Sequence, residues 1–139
     1  MKLTNILWEV KKPKRKVALI VLKKNNKVLI AKRVDKPFMN NAGMWGFPGG
    51  GIDKGETAKE AAIRECEEEL GIVPSNVRLL SRKENITTFV ADFPVDQTID
   101  LNHEEHDKWK MVDVETMNDY DMIEGMAETI KTALEEDKG

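Results

Sequence analysis

The sequence predicts an α+β fold in which a mixed β-sheet is sandwiched between helices. Short apolar or β-branched segments, typical of strands, occur early, in the middle and late in the chain. A stretch of strong helix formers lies between them, and an amphipathic segment follows the last of them. With 139 residues, 40% of them hydrophobic, the chain can bury one core, so we expect a single domain over residues 1–139.

The strand predictions depend on apolar runs bounded by turn residues. Asn25 and Asn26 indicate a tight turn between the first two strands. Proline, asparagine and glycine mark residues 35–44 as a loop, and polar residues mark 94–108 as another. The predicted strands span residues 17–22, 27–34, 45–47, 77–81, 86–93 and 109–112.

Two helices are predicted, and the first has clear limits. Thr57 is a favourable N-cap, and Glu60 three residues later completes a capping box. Gly71 suits the left-handed conformation that ends many helices, so we expect a helix over residues 58–70. Apolar residues at helical spacing predict the closing helix over residues 124–136.

The first helix carries three glutamates near its C-terminal end. With Glu65 placed at 0°, Glu69 lies at about 40° and Glu68 at about 300° around the helix axis. This position opposes the helix dipole, and like charges at these spacings repel one another. A compensating divalent cation, Mg²⁺ or Mn²⁺, would explain the arrangement. Ala58 and Ala61 precede the glutamates on that face, so we expect room there for a ligand.

An acidic run can also be a solvated helix face. The residues before the helix favour a site, because Gly49, Gly50 and Gly51 form a turn whose backbone can approach a metal or a phosphate. Arg64 lies where it can reach Glu60, four residues before it, or Glu68, four residues after it, and so orient a carboxylate.

These residues also match a known motif. Written as G-x5-E-x7-R-E-U-x-E-E-x-G-U, with U bulky and apolar, the motif resembles the Nudix box, over residues 50–72. The segment Trp45-Gly46-Phe47-Pro48-Gly49-Gly50 resembles the lead-in of MutT-like members. Cys66 is smaller than the usual residue at its position. The matching residues are Gly50, Glu56, Arg64, Glu65, Cys66, Glu68, Glu69, Gly71 and Ile72.

The resemblance implies a Nudix-type α/β/α sandwich with a loop-helix-loop catalytic motif. It also implies that Mg²⁺ or Mn²⁺ is held by the Gly49 carbonyl and by Glu65, Glu68 and Glu69, and that Arg64 orients a glutamate. Gly50 is expected to lie against the substrate. Glu56 is expected to support the loop or the outer metal shell.

Outside the motif, three residues are candidates for the site. Arg33, at the end of a predicted strand, resembles an arginine that contacts phosphate in MutT-like enzymes. Glu105 is a candidate metal ligand or base, because many family members place an acidic residue, often followed by histidine, in this region. Phe38 is the candidate for stacking on a nucleobase. His106 is expected to be structural or exposed, and two histidines in one loop do not make a convincing zinc site.

The resemblance implies Mg²⁺-dependent hydrolysis of a diphosphate linkage in a nucleoside diphosphate derivative. We favour a MutT-like nucleoside triphosphate pyrophosphatase that releases a monophosphate and pyrophosphate. ADP-ribose, a nucleotide sugar, a dinucleoside polyphosphate and capped RNA remain alternative substrates. A non-catalytic nucleotide-binding domain is a minor alternative, because it predicts lost metal-binding glutamates and none is lost.

Composition limits the partners. The net charge of −3 gives no general affinity for polyanions, so we expect a nucleotide substrate but no stable nucleic-acid partner. A single cysteine excludes an intramolecular disulfide. Because neither a membrane span nor a signal peptide is recognisable, we expect a cytoplasmic protein, either monomeric or homodimeric.

Overall fold

A computed structural model describes residues 15–35 and 41–136, and it confirms the predicted mixed sheet between two helices. The helices are α1 (Ala58–Leu70) and α2 (Met126–Glu135), and a short 3-10 helix spans Met117–Asp119. The strands are β1 (Val17–Lys24), β2 (Lys27–Arg33), β3 (Trp45–Gly46), β4 (Gly49–Gly51), β5 (Ser75–Lys83), β6 (Ile86–Asp92) and β7 (His106–Val112).

The sheet is mixed because β1 and β6 run parallel while the other pairs are antiparallel. β1 and β2 form a hairpin through Asn25, whose φ of 58° suits a tight turn. The two strands pair only next to this turn and then separate. β3 pairs with the far end of β2, and β4 pairs with the start of β1, so residues 45–51 fill the fork between them.

Glycine is required in this fork because the backbones lie very close together. A Cβ atom on Gly49 would lie 2.3 Å from the carbonyl oxygen of Ala18, and the φ of Gly49 is +152°. The glycine segment is therefore part of the sheet as β4. The predicted turn at this position was wrong, because the segment is a strand. The sequence did indicate correctly that glycine is needed there.

Each face of the sheet packs against one helix. α1 covers a cluster that includes Ile20, Leu22 and Phe89. α2 covers a second cluster on the other face, which includes Val21, Ile30 and Trp45. Within the described residues, no helix has the length and apolar character needed to cross a membrane.

The largest difference from the prediction is at β7. This strand begins at His106 rather than at Trp109, so His106 belongs to the sheet and not to the preceding loop. Charged and exposed residues at positions 107, 108 and 110 hide the strand pattern in the sequence. β7 pairs with β2 alone among the described strands, and a charged edge strand of this kind resists pairing with other chains.

Candidate metal centre

The limits of α1 agree with the sequence prediction. The Thr57 side chain accepts a hydrogen bond from the Glu60 amide, and the Glu60 carboxylate accepts one from the Thr57 amide. Gly71 ends the helix in the left-handed conformation, with φ of 67°. These caps fix which residues lie on the last two turns, and so they fix where the three glutamates point.

Glu69 is the most buried of these carboxyl groups, with 3% of its surface exposed. Its Oε2 atom accepts a hydrogen bond of 2.8 Å from the backbone amide of Gly49 in β4. Burial, together with the neighbouring charges of Glu65 and Glu105, raises the pKa of Glu69 to about 9 despite this hydrogen bond. A cation bound between these three carboxyl groups would reduce the repulsion between their charges.

Glu65 lies directly over Gly50. A Cβ atom on Gly50 would lie 2.7 Å from the Glu65 carboxyl carbon, so glycine is needed for this carboxylate to keep its position. The Glu65 side chain is 15% exposed, and burial raises its pKa. The side chain of Glu68 is 55% exposed and points toward solvent.

Arg64 connects these carboxylates to the glycine strand. Its Nε and Nη2 atoms each donate a hydrogen bond of 2.9 Å to the carboxylate of Glu56. Its Nη1 atom donates to Glu65 at 2.9 Å and to Glu68 at 3.2 Å, and Nη2 also donates to the Gly51 carbonyl at 3.1 Å. The hydrogen bond from Arg64 is the main reason that the pKa of Glu56 falls to about 2.

The loop before β7 is bound to the C-terminal end of α1. The amide of Asp100 donates to the Leu70 carbonyl at 2.7 Å, and the amide of Asn102 donates to the Glu69 carbonyl at 2.8 Å. These bonds satisfy carbonyl groups that a helix end leaves without partners. They also bring Glu105 and His106 to Glu69, and one ligand atom from each of these three residues lies within 4.8 Å of the other two.

His106 lies in the interior of the protein, next to these carboxyl groups. It is 2% exposed, and its Nδ1 atom is buried without a hydrogen-bond partner among the described residues. Burial, followed by the charge of Arg33, lowers its pKa to about 4, so the imidazole is neutral near pH 7. The adjacent Glu-His pair was the available signal, but the sequence did not show that the strand begins at His106.

The structure describes three of the four remaining candidate site residues. Arg33 ends β2 opposite His106, and its charge acts on both His106 and Glu69. Gly49 contacts Glu69 through its amide, and the proposed role of its carbonyl as a metal ligand stays a prediction. Gly50 faces Glu65. Phe38 lies outside the described residues, so its role in stacking on a nucleobase stays a prediction.

A groove of about 560 Å³ lies between the loop before β7 and the strand itself. Its lining includes His103, Asp107 and Trp109, and the Trp109 side chain is exposed. By contrast, Trp45, Phe47 and Phe89 are buried in the core. Trp109 is thus an exposed aromatic residue close in sequence to Glu105 and His106.

The donor set fits a divalent cation. Carboxylate oxygens come from Glu65, Glu69 and Glu105. Burial and the charge of neighbouring carboxylates raise the pKa values of Glu65 and Glu69. A cation reverses that effect, because it stabilises the ionised form. Oxygen ligands of this kind suit Mg²⁺ and Mn²⁺. The site can therefore hold a cation next to the arginine of β2.

Comparisons with known proteins identify relatives of this chain. An RNA pyrophosphohydrolase of Pelagibacter ubique is 33% identical over 129 residues, covering 74% of this chain and 78% of that protein. An 8-oxo-dGTP diphosphatase of Proteus vulgaris is 37% identical over 91 residues, covering 66% of this chain and 73% of that protein. The crystal structure of a MutT protein from Methanosarcina mazei Go1 has a TM-score of 0.71 at 22% identity, covering 93% of this chain and 99% of that one.

The structural likeness supports the fold alone at that identity, whereas the sequence matches extend to the family. The family model described as the NUDIX domain matches residues 12–133, which include every glutamate of the cluster. The chain therefore belongs to the NUDIX family and is a Nudix hydrolase.

Proposed function

We propose that this chain hydrolyses a diphosphate linkage in nucleoside triphosphates, releasing a nucleoside monophosphate and pyrophosphate. The observation that carries the proposal is that Glu105 lies within 4.8 Å of the buried Glu69, and that the charges of Glu65 and Arg33 also act on Glu69. Carboxylates that face one another suit a divalent cation, and an arginine beside them suits the phosphate oxygens that the cation would also attract.

The proposed roles combine these positions with the resemblance to the Nudix box. Glu65, Glu68, Glu69 and the Gly49 carbonyl hold the cation, which supplies positive charge to the diphosphate in the transition state. Arg64 holds the glutamates in position through its bonds to Glu56, Glu65 and Glu68. Glu105, which is exposed, can accept the proton of the attacking water.

Substrate contacts come from outside α1. Arg33 contacts phosphate oxygens, Gly50 lies against the substrate, and Phe38 stacks on the nucleobase. The relative named 8-oxo-dGTP diphosphatase supports a nucleoside triphosphate as the substrate. The relative named RNA pyrophosphohydrolase, which aligns with a larger part of this chain, supports a second candidate substrate, the 5′ end of an RNA.

The decisive experiment is a panel of substrates with Mg²⁺ and with Mn²⁺, followed by identification of the products. The panel includes canonical and oxidised nucleoside triphosphates, 5′-triphosphorylated and capped RNA, ADP-ribose, nucleotide sugars and dinucleoside polyphosphates. We expect monophosphate and pyrophosphate from the triphosphates, and a reaction in ¹⁸O-labelled water identifies the phosphorus that is attacked. Cleavage of ADP-ribose or of a nucleotide sugar with no cleavage of triphosphates would overturn the proposal.

The residues are tested by matched glutamine substitutions in α1. Glu65→Gln, Glu68→Gln and Glu69→Gln should each lower turnover by about 100-fold or more, because each removes charge that the cation needs. Glu67→Gln is the control, since Glu67 is an exposed residue of the same helix outside the cluster. Full activity of all three variants, or of the wild type in excess chelator, would exclude this site.

A further inference from the structure

The imidazole of His106 is the one buried group at the centre whose environment the proposed roles do not explain. Its Nδ1 atom has no hydrogen-bond partner within residues 15–35 and 41–136, although the residue is 98% removed from solvent. Leaving a buried polar atom without a partner carries a cost in folding stability. Such an atom in a folded protein calls for an explanation, and a bound ion is one.

Two carboxylates lie next to this imidazole. One oxygen of Glu69, one oxygen of Glu105 and one nitrogen of His106 lie within 4.8 Å of one another. Three ligand atoms spaced evenly about 2.1 Å from one cation would lie about 3.6 Å apart, so the three side chains would close on a cation by moving together by up to roughly 1 Å.

The backbone holds the three residues together independently of any ligand. The amide of Asn102 donates to the Glu69 carbonyl, and the Asn102 carbonyl accepts from the amides of Glu105, at 3.2 Å, and of His106, at 3.0 Å. The Glu105 carbonyl in turn accepts from Val34, directly after β2. The positions of Glu105 and His106 relative to α1 are thus fixed by main-chain bonds, as a preformed site requires.

We propose that His106 ligates a cation together with Glu69 and Glu105, forming a mixed nitrogen and oxygen site that prefers Mn²⁺ to Mg²⁺. The proposal rests on the proposed metal-dependent function and adds a ligand to it. Mg²⁺ favours oxygen ligands, whereas imidazole is a good ligand for first-row transition metals. A nitrogen ligand at this position shifts the preference of the centre toward Mn²⁺.

The test uses pulsed electron paramagnetic resonance on Mn²⁺ bound to protein labelled with ¹⁵N in histidine alone. The chain has two histidines, so His103 is the only other source of a signal. Coordination of His106 gives a ¹⁵N coupling of the size that a directly bound imidazole produces. That coupling should persist in His103→Gln and disappear in His106→Gln. Absence of the coupling in the wild type, or its survival in His106→Gln, would overturn the assignment.

Titration calorimetry gives a second readout on the same variants. His106→Gln should weaken the binding of Mn²⁺ by about tenfold or more and the binding of Mg²⁺ by much less. Equal weakening for both ions would contradict a nitrogen ligand. If His106→Gln does not fold, the ¹⁵N coupling in the wild type and in His103→Gln still decides the question.

The two proposals fail in different ways. An active enzyme that binds Mn²⁺ without a histidine ¹⁵N coupling overturns the role of His106 and leaves the proposed function intact. An enzyme that shows the coupling but cleaves no diphosphate supports the role of His106 and overturns the proposed function. A protein that binds neither Mn²⁺ nor Mg²⁺ overturns both.

Discussion

The guanidinium group of Arg64 and the carboxylate of Glu56 are joined by two parallel hydrogen bonds, each 2.9 Å long. The same guanidinium also reaches Glu65, Glu68 and the Gly51 carbonyl. Glu56 lies before α1, so this pair connects the loop to the helix and fixes the direction from which Arg64 approaches the other carboxylates. Planar bidentate contacts of this kind are specific to arginine.

Arg64→Lys should therefore lower turnover by roughly 10- to 100-fold while the fold persists. Lysine keeps the charge but cannot contact Glu56 through two atoms and also reach Glu65 and Gly51. Steady-state kinetics with saturating metal measure the loss, and circular dichroism checks the fold. Arg82→Lys is the control, since Arg82 is exposed on β5. Unchanged turnover in Arg64→Lys would show that the guanidinium does not position the glutamates.

The pair also predicts a pattern across variants. If Arg64 acts through its contact with Glu56, combining Arg64→Lys with Glu56→Gln should lower turnover by less than the product of the two single effects. A double-mutant cycle on turnover measures the coupling. Multiplicative effects would mean that Glu56 supports the centre by another route.

Local chemistry allowed much of α1 to be predicted. Thr57, Glu60 and Gly71 define the ends of the helix through contacts within a few residues, and such contacts are visible in the sequence. The helical wheel also placed Glu65, Glu68 and Glu69 near one another. It could not show that Glu69 is buried, because the burial depends on how α1 packs against β4, where the Gly49 amide donates a hydrogen bond to Glu69.

Long-range packing explains what the sequence did not reveal. Ala61 was expected to leave room for a ligand, but it is fully buried in the cluster beneath α1. His106 was expected to be structural or exposed, and its burial fits a structural residue, but the sequence did not place it beside Glu69. Neither outcome follows from local residue patterns. Both depend on how the strands and loops pack around the helix.

Gly50→Ala is expected to displace Glu65 without unfolding the protein. The added Cβ would lie 2.7 Å from the Glu65 carboxyl carbon, and the end of a flexible side chain can move away. Metal affinity should then fall by about tenfold or more, as measured by calorimetry. Gly55→Ala is the matched control, because it adds only backbone strain at φ of +86° and meets no atom within 4 Å. It should lower the melting temperature slightly and leave metal affinity unchanged. Loss of affinity in both variants would point to general destabilisation.

Cys66 provides a test of the packing beneath α1. It is the single cysteine of the chain, it is fully buried, and burial raises the pKa of its thiol to about 12. Because the thiolate is the reactive form, the native protein should react with a thiol reagent at pH 8 only through opening of the structure. Labelling followed by absorbance should thus be slow in buffer and rapid in denaturant. Rapid stoichiometric labelling in buffer would contradict the packing of α1 against the sheet.

Glu69 gives a pH dependence of stability whose sign can be worked out. Its pKa is about 9 in the folded protein and near its ordinary value of 4.5 in the unfolded chain. Between these values the folded state binds more protons than the unfolded state, so the free energy of unfolding falls as pH rises. The buried imidazole of His106 affects stability only at lower pH, because folding lowers its pKa from 6.5 to about 4. Its contribution to the free energy of unfolding is therefore constant above pH 7.

Without divalent metal, the wild type should thus lose about 2 kcal/mol of stability between pH 7 and pH 9, because the folded protein retains one proton that the unfolded chain has released. Glu69→Gln should remove most of that loss, since a glutamine keeps an oxygen for the Gly49 amide but carries no charge. Urea unfolding in excess chelator measures both slopes. Adding Mn²⁺ should stabilise the wild type most at pH 9, where Glu69 ionises, and should do much less for the variant. Parallel slopes for the two proteins would show that Glu69 ionises without cost and is not the buried acid of this centre.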